Sequence, residues 1–135
     1  MRMEISFPGG KKVDAHFGGH VVRTDQPASN GGEDSAPAPY MVFLASIGTC
    51  AGIYVAGFCQ NRGLPTEGIR VIQDNDFNAE TGRLDAVRLH IEVPEDFPEK
   101  YHEALVRVAQ KCAVKRTLMD APTFDVVTEV RLGAA

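Results

Sequence analysis

From the amino end, apolar and polar residues alternate. Met1, Met3, Ile5 and Phe7 stand against Arg2, Glu4 and Ser6, the period-2 pattern of a strand with one buried face. Pro8-Gly9-Gly10 interrupts the run, and Val13, Ala15 and Phe17 resume it against Lys12, Asp14 and His16. Gly18-Gly19 then turns the chain into residues 20–24. The pattern predicts a β-meander with tight glycine turns. It stops at residue 25. Residues 25–38 are rich in Gly, Pro, Ala, Ser, Asn and acids, a loop long enough either to carry function or to lack order.

No charged residue lies between Asp34 and Arg62. Within this stretch, at about 100° per residue, Phe43, Ile47, Cys50 and Tyr54 fall inside an arc of about 60°. Leu44, Ala51, Val55 and Phe58 widen that surface, and only Ser46, Thr49 and Gln60 form a polar stripe. The pattern predicts a helix over 40–60 that is buried on most sides. Pro39 suits its first turn, and Gly63 with Pro65 forms the stop signal. Gly48, Gly52 and Ala56 recur every fourth residue, a row where another backbone can come close. About 20 uncharged residues would span a bilayer, and spaced glycines occur there too. Against a membrane stand the glycines themselves, two prolines at the entry, no Lys/Arg-rich flank, and a remainder patterned like a soluble domain.

Residues 69–77 and 84–93 read as a second hairpin around 78–83. Val87, Leu89, Ile91 and Val93 alternate with Arg88, His90 and Glu92, so one face is wet and His90 is solvated. Pro94 to Pro98 ends the strand and opens a second helix, with Tyr101, Leu105, Val108 and Cys112 at i, i+4, i+7 and i+11. A turn over 118–122 and a last strand over 124–132 complete the expectation. The whole is an α+β chain of one domain, residues 1–135, with mostly antiparallel sheet.

Composition narrows the function. With 14 basic and 18 acidic residues the net charge is −4, which gives no footprint for nucleic acid or an anionic membrane. The alternating start is unlike a secretory signal, and three cysteines do not make a disulfide framework, so a reducing cytoplasm is expected. Phosphate-loop, dinucleotide, nucleophile-elbow and zinc spacings are missing, so no cofactor is expected. No metal is expected either, because His16 and His20 are separated by a glycine turn without a third ligand nearby.

What remains is cysteine chemistry. Cys50 and Cys59 lie nine apart on one helix, about 180° around and ~13 Å along it. They cannot bridge, since a disulfide needs Cα atoms within about 7 Å. Cys50 and Cys112 sit on inward stripes of separate helices and become a pair if those helices pack; Cys59 reads as packing.

Residues 39–50 followed by Gly63-Leu64-Pro65, and then Cys112-Ala113-Val114-Lys115-Arg116-Thr117-Leu118, resemble the two signature blocks of the OsmC/Ohr superfamily of osmotically induced and organic hydroperoxide resistance proteins. Asp25-Gln26-Pro27 with Gly31-Gly32 resembles its OsmC-like branch. The resemblance implies an OsmC-like fold, with antiparallel sheets around long central helices in an intertwined homodimer and active sites at the interface. It also implies thiol peroxidase chemistry: Cys50 attacks the hydroperoxide and becomes a sulfenic acid, Cys112 resolves it to a disulfide, and a dithiol reductant resets the pair.

Three positions depart from the family pattern. Ala113 replaces the proline after the second cysteine, Tyr40, followed by Met41, stands where the hydroperoxide-reductase branch has glutamate, and Lys12 stands in the place of an arginine. Cys50 lies some eleven residues into its helix, beyond the reach of that helix's own dipole, so a thiolate there needs a cation. The candidates are Lys12, Arg23, and the cluster Lys111, Lys115 and Arg116 around Cys112. Phe43, Ile47, Tyr54 and Tyr40 are the candidate substrate contacts. Two functions stay open: a peroxidase acting on small organic hydroperoxides, and a non-enzymatic dimeric module holding a small apolar or lipid-like ligand at the interface.

Overall fold

The computed structural model describes residues 1–133. Strands β1 (Glu4–Gly9), β2 (Lys12–Phe17) and β3 (His20–Thr24) form an antiparallel meander in that order. Ile5 pairs with Ala15 and Ala15 with Val22, so the alternating apolar positions share one face, as their period demands. Within the single chain that face is largely uncovered.

The loop after β3 is ordered by one carboxylate. Asp25, 1 % exposed, accepts hydrogen bonds from the Gln26 N–H at 2.8 Å, the Ser35 hydroxyl at 2.6 Å, the Ser35 N–H at 3.1 Å and the Glu33 N–H at 3.3 Å. The Ser35 hydroxyl is the largest influence, and together these donors lower the Asp25 pKa to about 2. The chain folds so tightly here that a Cβ on Gly32 would fall 1.9 Å from the Gln26 carbonyl oxygen, which leaves glycine as the residue that fits.

Helix α1 (Pro39–Asn61) follows, one residue longer at each end than the pattern predicts, with proline in its first turn. It ends where the Leu64 N–H reaches back to the Cys59 carbonyl at 2.9 Å across a left-handed Gly63. By length and composition it is long and apolar enough to cross a bilayer. Here it buries Leu44, Ile47, Ala51, Val55, Phe58 and Cys59 instead.

Strands β4 (Arg70–Phe77) and β5 (Leu84–Glu92) form the second hairpin. Its wet face carries cross-strand ion pairs, Arg70–Glu92 and Arg88–Asp76, and His90 lies near Asp74. Its other face meets α1 through Gln73, whose amide donates to the Leu44 carbonyl at 2.9 Å. A Cβ on Gly48 would sit 2.4 Å from the Gln73 side-chain oxygen, whereas one on Gly52 would meet nothing within 4 Å. The small-residue row therefore has two jobs: Gly48 admits a strand side chain, and Gly52 faces open space.

Helix α2 (His102–Ala109) packs Leu105 into a core with Val55, Phe58, Cys59 and Phe97. The expected apolar stripe from Tyr101 to Cys112 is broken. The Lys111 N–H bonds to the Val108 carbonyl, three residues back, which tightens and ends the helix. A third helix, α3 (Ala113–Met119), starts just after Cys112 and takes up the first two residues of the turn expected over 118–122. The strand expected over 124–132 does not form, because among the described residues no strand edge pairs with it; Phe124 and Leu132 are 86 % and 90 % exposed.

The Asp25 carboxyl titrates lower when folded than when unfolded. Its contribution to stability is therefore present above the usual carboxylate pKa and is lost as pH falls through about 2. Asp25→Asn, which turns an amide donor toward N–H donors, lowers the thermal midpoint at neutral pH, and the gap to wild type closes on acidification; calorimetry across that range measures it. Leu105→Ala in the core costs about 2–5 kcal/mol, read from urea unfolding with an unchanged slope.

Candidate thiol site

Cys50 lies half-buried midway along α1, and Cys112 is the residue that caps α3. The Cys112 sulfur accepts from the Lys115 N–H at 3.5 Å and donates to the Ile47 carbonyl at 3.9 Å. Packing of α3 on α1 thereby brings Cys112 and the backbone N–H groups of Val114 and Ala113 near enough to Cys50 to act on its titration. These N–H groups belong to the first turn of a helix, where no intrahelical acceptor exists. They favour an anion.

The Cys50 thiol is consequently held below its usual pKa. The Val114 N–H contributes most, followed by Cys112, the Ala113 N–H and the Arg116 charge, while burial opposes them. Cys50 is too deep in its own helix for that dipole to help, so the start of another helix supplies the stabilisation. Cys59 behaves in the opposite way: fully buried, its thiol is pushed up by desolvation, with Arg62 pulling weakly down. All three cysteines are free thiols.

The residues proposed from sequence fall in several places. Lys12 is engaged by Glu33, with Nζ 2.7 Å from the carboxylate, which raises its pKa, and it is not among the groups acting on Cys50. Arg23 pairs with Asp14 in the β2–β3 register. Of the basic cluster, Arg116 acts on Cys50, and Lys115 lines a neighbouring cavity of about 470 Å³. Ile47 lines the same cavity with Val87, Leu89, Ile91 and Leu118. Tyr54 lines a different groove. Tyr40 and Phe43 form an aromatic pair 5.6 Å apart that Phe77 joins.

Sequence reasoning missed the α3 amides as partners of Cys50, Glu33 as the partner of Lys12, and the β5 side chains as cavity wall. The inward alternation of Val87, Leu89 and Ile91 was the available signal for the wall, but alternation does not say what a face looks onto. Among the described residues no three His, Cys, Asp or Glu side chains gather as a metal site requires.

The family model of the OsmC-like protein matches residues 32–127, a span that includes all three cysteines and more than half the chain. The chain belongs to the OsmC-like family. No curated protein matches it. Among solved structures, an osmotic stress induced and detoxification response protein from Psychrobacter arcticus 273-4 superposes with a TM-score of 0.71 at 18% identity, covering 85% of each chain. An organic hydroperoxide resistance protein OsmC from Legionella pneumophila gives 0.53 at 19%, covering 87% of this chain and 89% of that one. A hypothetical protein from Aquifex aeolicus VF5 gives 0.61 at 14%, covering 89% and 87%. These likenesses show that the α+β architecture of this OsmC-like protein is that of the family, although identity is low.

Because the Cys50 pKa is depressed, its thiolate persists to lower pH than that of free cysteine, about 8.5. The pH midpoint for alkylation of Cys50 by iodoacetamide in the wild type is lower than that of the same cysteine in the unfolded chain. It rises in Arg116→Met and stays put in Lys12→Met, whose ammonium Glu33 already holds. Mass spectrometry of each cysteine peptide reads the rates and shows Cys59 unmodified.

Proposed function

We propose that this OsmC-like protein is a thiol-dependent peroxidase for small organic hydroperoxides, acting as a homodimer in a reducing cytoplasm. One arrangement carries the reading: the start of α3 packs on the stretch of α1 that holds Cys50, so that Cys112 and the α3 amides lower the Cys50 pKa, and Cys112 donates to the carbonyl of Ile47, which lines the apolar cavity. The Cys50 thiolate attacks the terminal peroxide oxygen, the O–O bond breaks, and the alkoxide leaves and takes a proton to become the alcohol. Cys50 is then a sulfenic acid. The Cys112 thiol displaces its hydroxyl as water and forms the disulfide, and a dithiol reductant returns both thiols while itself being oxidised to a disulfide. The aliphatic wall of Val87, Leu89 and Ile91 suits an alkyl group, and the hydroperoxide class agrees with the description of the Legionella relative.

A second reading is a dimeric module that holds an apolar or lipid-like ligand without turnover. It draws on Tyr40 and Lys12, which stand where the family resemblance expects glutamate and arginine. Thiol-dependent consumption of cumene hydroperoxide decides between the two. Turnover is expected in the wild type, loss to background in Cys50→Ser, and a stop after one equivalent at sulfenic Cys50 in Cys112→Ser. Stoichiometric peroxide gives a Cys50–Cys112 bridge with Cys59 free by peptide mapping. Equal consumption by wild type and Cys50→Ser would falsify the peroxidase reading.

The dimer draws on surface that one chain leaves bare. Ile53 is 64 % exposed on an otherwise apolar helix, Gly52 beside it faces open space, and residues 124–132 offer unpaired apolar backbone. A Cβ added at Gly52 meets nothing within 4 Å among the described residues, so Gly52→Leu is expected to keep the fold and weaken association, as light scattering of both proteins would show.

A further inference from the structure

Cys112 is the last buried residue of the described chain. It is 2 % exposed, whereas α3, which starts at the next residue, has no buried residue, and Met119 at its end is 80 % exposed. Seven residues are too few for a helix to hold itself in water, so α3 needs an anchor. The anchor is one sulfur. Cys112 Sγ accepts from the Lys115 N–H at 3.5 Å, which caps α3, and donates to the Ile47 carbonyl at 3.9 Å, which ties the cap to α1. The same helix carries Lys115 and Leu118 into the wall of the cavity that Ile47 lines from α1.

A disulfide to Cys50 withdraws that anchor. Bridged Cys112 has no thiol proton, so its donation to the Ile47 carbonyl ends. Its sulfur is drawn toward Cys50, about 4.5 Å of rise beyond Ile47 on α1, and a disulfide sulfur is a poorer cap for the Lys115 N–H. At Cys50 the thiolate, which the Ala113 and Val114 amides and the Arg116 charge favour, becomes an uncharged sulfur. The attraction between α3 and α1 falls at the moment the cap is lost.

We propose that α3 is a redox-released latch: the Cys50–Cys112 disulfide uncaps and unwinds residues 113–119, which opens the cavity wall at Lys115 and Leu118 and bares the bridge to the dithiol reductant. The latch rests on the bridge of the proposed function. A thiolate of the reductant then attacks the Cys112 sulfur and Cys50 leaves as thiolate; the second reductant thiol attacks the mixed disulfide, releases Cys112, and closes the reductant's own disulfide. Regained thiols recap α3. The unwinding is local, so it leaves Gly52, Ile53 and residues 124–132 to a second copy of the chain.

Trypsin reads the latch, because the Lys115–Arg116 and Arg116–Thr117 bonds lie inside α3 and cleavage follows the population of the open form. The full-length protein is digested under native conditions after reduction, after one equivalent of cumene hydroperoxide, or after diamide. Diamide takes two electrons and two protons from the thiol pair and becomes the hydrazine, so it forms the bridge without peroxidase chemistry. Cleavage at Lys115 and Arg116 is expected about tenfold faster in the bridged protein, the scale of losing a cap and a helix–charge contact, with cleavage at Arg70 and Arg88 of the hairpin unchanged. Cys112→Ala, which lacks the cap, is cleaved fast without oxidant. Cys112→Ser, whose hydroxyl can cap, and Cys50→Ser stay slow with or without it. Release by diamide but not by hydroperoxide supports the latch and counts against the peroxidase reading. Equal cleavage of reduced and diamide-treated protein, with the bridge complete by peptide mapping, overturns the latch alone; if neither oxidant forms the bridge, both readings fall.

Discussion

A helix with no charge along its whole length has to lie against something on every side, and the rest of this molecule depends on how α1 meets that demand. One flank goes to α2 through Leu105 and Phe58, and another to the β4–β5 hairpin, where Gln73 reaches the Leu44 carbonyl over the bare backbone of Gly48. α3 covers the stretch that carries Ile47 and Cys50. The remaining flank, with Gly52 and Ile53, has little cover among the described residues. Apolar burial drives the assembly, and the same demand leaves the helix open to a second copy.

The thiol site follows from that packing. Burial of a cysteine on a helix disfavours its thiolate, as it does for Cys59 near the end of α1. Cys50 differs since the start of α3 presses its free amides onto the sulfur, and the residue that caps α3 is the other cysteine. One contact between two helices therefore pairs the thiols and lowers the pKa of Cys50. The family pattern assigns the cation role to a residue on an N-terminal strand. Within this chain that residue, Lys12, is committed to Glu33 instead. Glu33 in turn belongs to the loop gathered by Asp25, so this loop, long enough in sequence to lack order, is held by the Asp25 carboxylate together with backbone bonds such as Asp34 N–H to the Gln26 carbonyl.

The sequence by itself determined the element order as far as α2, the uncharged helix with its proline start and glycine stop, the meander, the second hairpin with its wet face, and the impossibility of a Cys50–Cys59 bridge. All of these rest on periods of 2 and 3.6 residues and on turn chemistry, which act between near neighbours. The signature blocks also marked Cys50 and Cys112 as a pair. Only the tertiary structure decided that Cys112 caps a new helix instead of ending α2, because apolar spacing is the same whether or not the backbone breaks at Lys111. It likewise decided that Gly48 and Gly52 serve different neighbours, that Tyr40, Ile47 and Tyr54 look onto three different places, and that residues 124–132 find no strand to join within the chain. Each of these depends on what faces a side chain across space, and alternation along a chain records that a face is apolar without recording what it meets.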